Sequence, residues 1–204
     1  MYAIRYGFEV ERIEFLGEGM QAEFNERLVS GNMIFFPSEK IRQEVLREYP
    51  QLKDIVITKK FPHTIIITPV LRSPFATLVT LNASYGIDDE GRVLSIGGSE
   101  LMLPELHINP VSVRIGKIVD DTNVLSALKF LKQSKSSFPV SSIRTSEDGA
   151  SLIAVSLTTE IFFTQDQDTD TLISTLQTII AGVRIKGTMP KIIDVRFLKP
   201  VIQW

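Results

Sequence analysis

Hydrophobic and polar residues at the start of the chain alternate first with a strand period and then with a helix period. Residues 8–16 begin and end with a period of two and change phase in between, which predicts a strand with a bulge. Residues 20–29 have helical character, because Phe24 and Leu28 lie one turn apart. The chain therefore opens with a predicted strand and a predicted short helix.

The clearest predicted helix covers residues 38–49. Its apolar residues have helical spacing and share one face: Ile41, Val45, Leu46 and Tyr49. Ser38 can cap the first turn, and Pro50 ends the helix because proline lacks the N–H that another turn requires.

Two extended segments, 53–61 and 63–71, follow this helix. Pro50, Pro62 and Pro74 delimit them, and proline is tolerated at the starts, ends and edges of strands. The predicted order up to this point is strand, helix, helix, strand, strand.

Short strands and two further helices are predicted in the rest of the chain. Residues 76–95 are typical of two strands, with Asp88–Gly91 as the turn. The segment 122–133 is predicted to be a helix capped by Thr122 or Asn123.

A last helix and a last strand are predicted at the C-terminal end. Residues 168–183 have helical periodicity that ends at Gly182, and residues 191–204 are predicted to form a strand that runs to the terminus. These patterns predict an α+β fold with two domains, residues 8–75 and residues 76–204. The second is expected to be a β-rich domain with a mixed sheet and two helices.

The composition excludes several classes of function. The chain has 204 residues and a net charge of -2, so it carries no electrostatic footprint for nucleic acid. Cysteine is absent, which excludes disulfides, thiolate nucleophiles and cysteine metal sites. No run approaches the roughly 18 apolar residues that a transmembrane helix needs.

Candidate catalytic and metal-binding residues are few. His63 and His107 are the two histidines, and each is predicted to be a strand or turn residue. Asp166, Asp168 and Asp170 resemble a calcium loop, but the positions where an EF-hand needs glycine and glutamate hold other residues. We interpret these aspartates as caps of the following helix. We therefore predict a protein that is not an enzyme and that binds no cofactor or metal.

The segment 50–76 has a specific spacing of prolines and apolar residues. The turn "FPHTIIIT" leads into its second extended part, and "LRSPFA" follows with Arg72, Pro74 and Ala76. With the order βααββ, this pattern resembles the POTRA (polypeptide-transport-associated) domain of the bacterial division family FtsQ, called DivIB in Gram-positive bacteria. The family's motif ends in E-R-x-P-x-A, and Leu71 replaces its glutamate.

The resemblance extends over nearly all of residues 8–204. "IEFLGEG" resembles the family's first strand, with Glu18 where asparagine is common. "YGIDDEGRVL" and "LMLPEL" resemble l-v-D-x-x-G-x-v-f and L-P-x-L in the second domain. "KIIDVRF" resembles i-D-l-R-y, with Asp194, Arg196 and Phe197 in place.

This resemblance implies an identity for both domains and a function. Residues 8–75 would be a POTRA domain, and residues 76–204 the FtsQ/DivIB-type domain. Members of the family are non-enzymatic scaffolds of the division complex (divisome) that bind FtsB/DivIC and FtsL. They lie at the division septum, on the extracytoplasmic face of the cell membrane, and one N-terminal transmembrane helix anchors them. This chain would be membrane-anchored only if such a helix is missing from the sequence.

The C-terminal strand is expected to bind the partner by strand addition. An unpaired strand edge offers N–H and C=O groups to another strand. The resemblance places the main pairing at residues 194–199, with residues 170–181 supplying side-chain contacts, and Pro200 interrupts it. The expected partner-binding residues are Asp194, Val195, Arg196, Phe197, Leu198, Lys199, Val201 and Trp204. The sequence leaves open whether Phe197 and Trp204 belong to the interface or to the core.

A POTRA-bearing chaperone or polypeptide-transport module is the alternative function. Such proteins usually carry tandem POTRA units or a following membrane barrel. One POTRA-like unit is found in this sequence, which favours the division scaffold.

Overall fold

The computed structural model of the protein belongs to the α+β class, which confirms the predicted fold class. It describes residues 8–16, 32–97, 102–110, 112–197 and 199–204. The chain divides into two compact units between Arg72 and Ser73, a few residues before the boundary predicted at 75/76. Each unit is described by itself below.

Three strands and a helix make up the described part of the first unit. In chain order they are β1 (Arg12–Phe15), α1 (Ser38–Glu48), β2 (Leu52–Lys60) and β3 (Thr64–Leu71). Strand β3 lies in the middle of the sheet, parallel to β1 and antiparallel to β2. The helix before Pro50 and the two strands after it are confirmed. The helix predicted at 20–29 lies outside the described residues.

Helix α1 and one face of the first sheet enclose a small core. The helix buries Ile41 and Val45, and the strands contribute further residues to the same cluster: Leu52, Ile55, Ile65 and Ile67. In β3 the buried residues have the period of two expected of a sheet with one covered face, whereas an irregularity at the start of β2 places its two buried residues three positions apart. The predicted cap is wrong, because Pro37 occupies the N-cap position and no side chain caps the helix.

The described residues of the second unit form one nine-stranded mixed sheet with two helices. In chain order the elements are β4 (Ala76–Val79), β5 (Ser84–Ile87), β6 (Val93–Ile96), β7 (Glu105–His107), α2 (Thr122–Ser134), β8 (Ser142–Thr145), β9 (Leu152–Ser156), β10 (Thr159–Phe163), α3 (Thr169–Lys186), β11 (Ile192–Asp194) and β12 (Val201–Gln203). The strand order in the sheet is β12-β11-β10-β9-β8-β7-β4-β5-β6.

One row of cross-strand partners runs through the core of this sheet. Its members are almost completely buried: Leu78, Leu106, Ile143, Ala154, Ile161 and Ile193. Helices α2 and α3 bury apolar residues in the same cluster, including Phe130, whose ring stacks on Phe163 with centroids 4.5 Å apart. Because side chains alternate along a strand, a slip of one residue would move this row to the opposite face.

Several predicted element limits in the second unit are wrong. Residues 76–95 contain parts of three strands rather than two, although the predicted turn at Asp88–Gly91 does connect β5 to β6. The residue that caps α2 is Asp121, whose Oδ1 accepts hydrogen bonds from two backbone N–H groups. Helix α3 does not end at Gly182 but continues to Lys186.

The C-terminal segment also differs from its prediction. It forms two antiparallel strands, β11 and β12, instead of one continuous strand. The chain leaves the sheet after Asp194 and re-enters it at Val201, directly after Pro200. This change of direction determines the geometry of the candidate site.

Candidate partner-binding edge

Strand β12 forms one edge of the nine-stranded sheet. Strand β11 lies between β10, to which it is parallel, and β12, to which it is antiparallel. The register places Ile193 opposite Ile202 and Asp194 opposite Val201. No other strand of the described residues pairs with the outer side of β12. Within the part of the chain that the structure describes, that side is an open sheet edge.

The hydrogen bonds around β11 show which backbone groups of β12 face outward. The Val195 N–H donates to the Phe162 carbonyl of β10 at 2.9 Å, so Asp194 directs its backbone groups toward β12. Its register partner Val201 faces β11 in return, and so does Gln203, whose carbonyl accepts from the N–H of Lys191 at 2.9 Å. Successive residues alternate in direction. The N–H and C=O of Ile202 therefore point to the open edge.

A side-chain hydrogen bond from Gln167, two residues before α3, holds the first residue of the loop between β11 and β12. The Gln167 side chain donates from Nε2 to the Val195 carbonyl at 2.6 Å. Its Oε1 accepts from the Thr164 N–H at 3.0 Å. Gln167 thus connects the end of β10 to Val195, where the loop begins.

Arg196 is the centre of a cluster at the base of the loop. Its guanidinium donates to both carboxylate oxygens of Asp194, at 2.9 and 2.6 Å, and to the Ser151 hydroxyl at 3.3 Å. It also lies over two aromatic rings, 5.3 Å from the centroid of Phe162 and 5.6 Å from that of Phe197. Planar guanidinium suits such a combined bidentate and stacked arrangement.

The electrostatics of this cluster keep both groups charged. Hydrogen bonds from Arg196 lower the pKa of the Asp194 carboxyl below its ordinary value. The hydrogen bond to Asp194 raises the pKa of the Arg196 guanidinium in return. The charge of this pair is therefore compensated internally. The aromatic ring of Phe197, held against the guanidinium, remains available at the surface.

Three apolar side chains of this region are exposed. The exposed fractions are 61% for Phe197, 47% for Val201 and 54% for Trp204. Of the two alternatives that the sequence left open, the structure excludes burial in the core for Phe197 and Trp204. Exposed aromatic residues beside an open strand edge are typical of protein interfaces.

A cleft of about 300 Å³ lies beside the loop. The loop forms one wall and the first turns of α3 form the other; the lining residues include Val195, Phe197, Pro200, Asp168, Thr171 and Thr175. Asp168 caps α3, as predicted, because its Oδ2 accepts from the Thr171 N–H at 2.9 Å. The hydroxyl of Thr171 is the main cause of the lowered pKa of this carboxyl.

The structure brings most of the predicted partner-binding residues into one region, but they do not all offer a strand edge. Asp194 has sheet partners on both sides and Val195 is buried, so neither residue presents free backbone groups to an added strand. Lys199 is exposed, and Leu198 lies outside the described residues. The open edge begins only after Pro200.

Sequence reasoning missed three residues of this site. Ile202 supplies the outward backbone groups, Gln167 donates a hydrogen bond to the Val195 carbonyl, and the ring of Phe162 packs against the guanidinium of Arg196. The sequence contained a usable signal for Ile202. If Pro200 marks the start of a strand, the alternation along Val201, Ile202 and Gln203 gives Ile202 the opposite backbone direction to its two neighbours. The other two depend on tertiary neighbours and carry no local signal.

Comparison with known proteins adds no further constraint. No protein-family model matches the chain, and no curated protein matches its sequence significantly. None of the helices in the described ranges has the length and apolar character needed to cross a membrane.

The two histidines lie in a turn and in a strand, as predicted. His63 lies in the turn between β2 and β3, and His107 ends β7, where its Nε2 is 3.0 Å from Oε2 of Glu105.

Proposed function

We propose that the protein is a non-enzymatic scaffold of the bacterial division complex, of the FtsQ/DivIB type. It binds an FtsB/DivIC-like partner, together with an FtsL-like protein, by strand addition at β12. It acts at the division septum on the extracytoplasmic face of the cell membrane. The observation that carries this proposal is the open edge of β12, with outward backbone groups at Ile202 and exposed Phe197, Val201 and Trp204 around it.

The first unit supports the POTRA part of the proposal. Its described elements follow the order strand, helix, strand, strand, and its sheet has the order β1-β3-β2. A POTRA domain requires a second helix between β1 and α1, which is the segment predicted from the sequence at 20–29. The motif residues Arg72, Pro74 and Ala76 lie at the end of β3 and the start of β4.

A single substitution tests the role of the edge. In Ile202→Pro the outward N–H is lost, while Val201 and Gln203 keep their bonds to β11, because proline is tolerated where the N–H faces away from the sheet. The matched control Ile202→Ala removes more of the side chain but keeps the N–H. The full chain and both variants are titrated with the purified extracytoplasmic segment of an FtsB/DivIC-like protein from the same organism.

We expect the proline variant to bind at least about tenfold more weakly than the alanine variant, since a partner carbonyl is left without a donor. Unfolding curves of the variants confirm that both are folded. Equal affinity of the two variants would show that the partner does not pair with the backbone of β12, and the binding site would then lie elsewhere. If the unmodified chain does not bind the FtsB/DivIC-like segment at all, the proposal of a division scaffold is wrong. A POTRA-bearing transport or chaperone module then has to be considered.

A further inference from the structure

A short loop of the first unit presents two apolar side chains to the surface. In the loop 32–37, Met33 and Phe36 are buried, while Ile34 and Phe35 are 43% and 79% exposed. The Asn32 side chain accepts from the Ile34 N–H at 2.9 Å, and the Phe35 N–H donates to the Asn32 carbonyl at 3.1 Å. The buried residues and the hydrogen-bonded turn fix the loop, and its fixed conformation places the Phe35 side chain at the surface.

The turn between β2 and β3 adds a third apolar side chain beside this loop. Phe61 in that turn is 58% exposed, and its ring packs edge-on against Phe8 with centroids 5.9 Å apart. The backbone N–H of Met33 donates to the Phe8 carbonyl at 2.7 Å, which joins the turn and the loop into one surface. We refer to Ile34, Phe35 and Phe61 as the apolar tip.

Lysines accompany the apolar tip. The Lys59 ammonium donates to the Ile34 carbonyl at 3.4 Å, and Lys60 is exposed at the end of β2. Neither ammonium forms an ion pair with another described residue. Apolar side chains that project between lysines match the layered chemistry of a phospholipid surface, where phosphate groups lie above acyl chains.

Two carboxylates limit how much of this attraction is electrostatic. Glu9 and Glu11 lie on the β1 side, where His63 Nδ1 is 3.0 Å from the Glu9 carbonyl and 3.6 Å from the Glu11 carboxylate. Their charges offset those of Lys59 and Lys60. Insertion of the apolar side chains must therefore supply most of the attraction, and a purely charge-driven adsorption does not fit.

We propose that the apolar tip is a membrane-contact surface, which inserts Phe35, Ile34 and Phe61 into the head-group region of a phospholipid bilayer while Lys59 and Lys60 contact lipid phosphates. This surface belongs to the first unit, whereas β12 belongs to the second, and the inference does not depend on the proposed function. A protein partner at the tip is the competing occupant.

Vesicle flotation of the full chain tests this inference, with vesicles of phosphatidylcholine and of equal parts phosphatidylcholine and phosphatidylglycerol. We expect the protein to float with both, and Phe35→Ser to lower the partition coefficient by about tenfold, because a phenylalanine side chain is no longer removed from water. Leu81→Ser is the matched control, since Leu81 is an exposed apolar residue in the turn between β4 and β5. It should partition like the unmodified chain.

A second measurement reports insertion directly. The chain has one tryptophan, so Phe35→Trp in a Trp204→Phe background places the only indole at the tip. We expect its emission to shift to shorter wavelength when vesicles are added. The inference is overturned if the unmodified chain does not float, if Phe35→Ser floats equally well, or if the indole emission does not move. Insertion is also overturned if the double variant Lys59→Glu, Lys60→Glu is the only one that fails to float and the indole emission does not shift, because the protein would then adsorb by charge alone.

Discussion

The Asp194–Arg196 pair is expected to stabilise the second unit measurably, and Asp194→Asn is the perturbation that tests this. The side chains of the pair are 15% and 29% exposed, so water screens their interaction only in part. Two charge-assisted hydrogen bonds join them, at 2.9 and 2.6 Å. Isolated exposed ion pairs contribute about 0–1 kcal/mol, and hydrogen bonds to charged groups about 1.5–3 kcal/mol. We therefore expect the substitution to lower the free energy of unfolding by about 1.5–2 kcal/mol at neutral pH.

The pH dependence of this loss has a definite sign. The pKa of Asp194 is lowered in the folded protein, mainly by the hydrogen bonds from Arg196. Its contribution is therefore fully present above the unfolded pKa of about 3.9 and is lost as the pH falls through the folded value. The difference between the unmodified chain and Asp194→Asn should be constant from neutral pH to about pH 5 and should shrink below about pH 4.

Urea unfolding followed by the emission of Trp204 is a suitable assay, because the only tryptophan of the chain lies directly after β12. Glu105→Gln is the matched control, since it breaks an exposed pair with His107 in the same unit and should cost less than about 0.5 kcal/mol. A loss for Asp194→Asn no larger than that of the control would refute the reasoning. So would a loss that grows as the pH falls.

Two further substitutions test local features of the second unit by urea unfolding. Leu157 has a φ of 56° in the turn between β9 and β10, so Leu157→Asn should raise the free energy of unfolding by about 0.5–1 kcal/mol; Leu157→Val, which is β-branched, should lower it. Asp121→Ala should cost about 1 kcal/mol because two backbone N–H groups of α2 lose their acceptor, whereas Thr122→Ala should be nearly neutral. Equal effects of the two alanine variants would contradict the assigned cap.

The elements with a regular apolar period were predictable from the sequence. Helix α1 carries an apolar stripe, and burial alternates along part of each strand beside Pro62, over residues 55–60 in β2 and residues 64–67 in β3. In each case the buried face repeats often enough for the pattern to exceed the noise of single residues. The sequence therefore predicts the α+β class and the order of the described elements of the first unit.

The ends of the helices were less predictable, because neighbouring residues compete for the same role. Three adjacent polar residues, Asp121, Thr122 and Asn123, could each cap α2, and only the backbone conformation selects Asp121. Helix α3 passes through Gly182 because Ile180 and Val183 are buried in the core. Burial of these side chains outweighs the cost of about 1 kcal/mol for glycine inside a helix.

The site itself was predictable only as a region. The motif at Asp194, Arg196 and Phe197 lies beside the candidate edge, but the local sequence does not show that the chain leaves the sheet there. The course of the chain at Val195 depends on contacts with Gln167 and Phe162, which lie in distant parts of the sequence. A pattern of alternating residues cannot report such distant partners.

Pro200 limits the backbone pairing that the proposed binding edge can offer. Pro200 directly precedes β12 and has no N–H to donate, so an added strand cannot extend its hydrogen bonds to a donor at this position. The edge is therefore short, and short edge strands are one way in which natural sheets discourage unspecific pairing. A partner of this edge must obtain much of its affinity from side-chain contacts. The exposed Phe197, Val201 and Trp204 lie where such contacts are available. Specificity at β12 should therefore depend on these three side chains more than on the number of backbone hydrogen bonds.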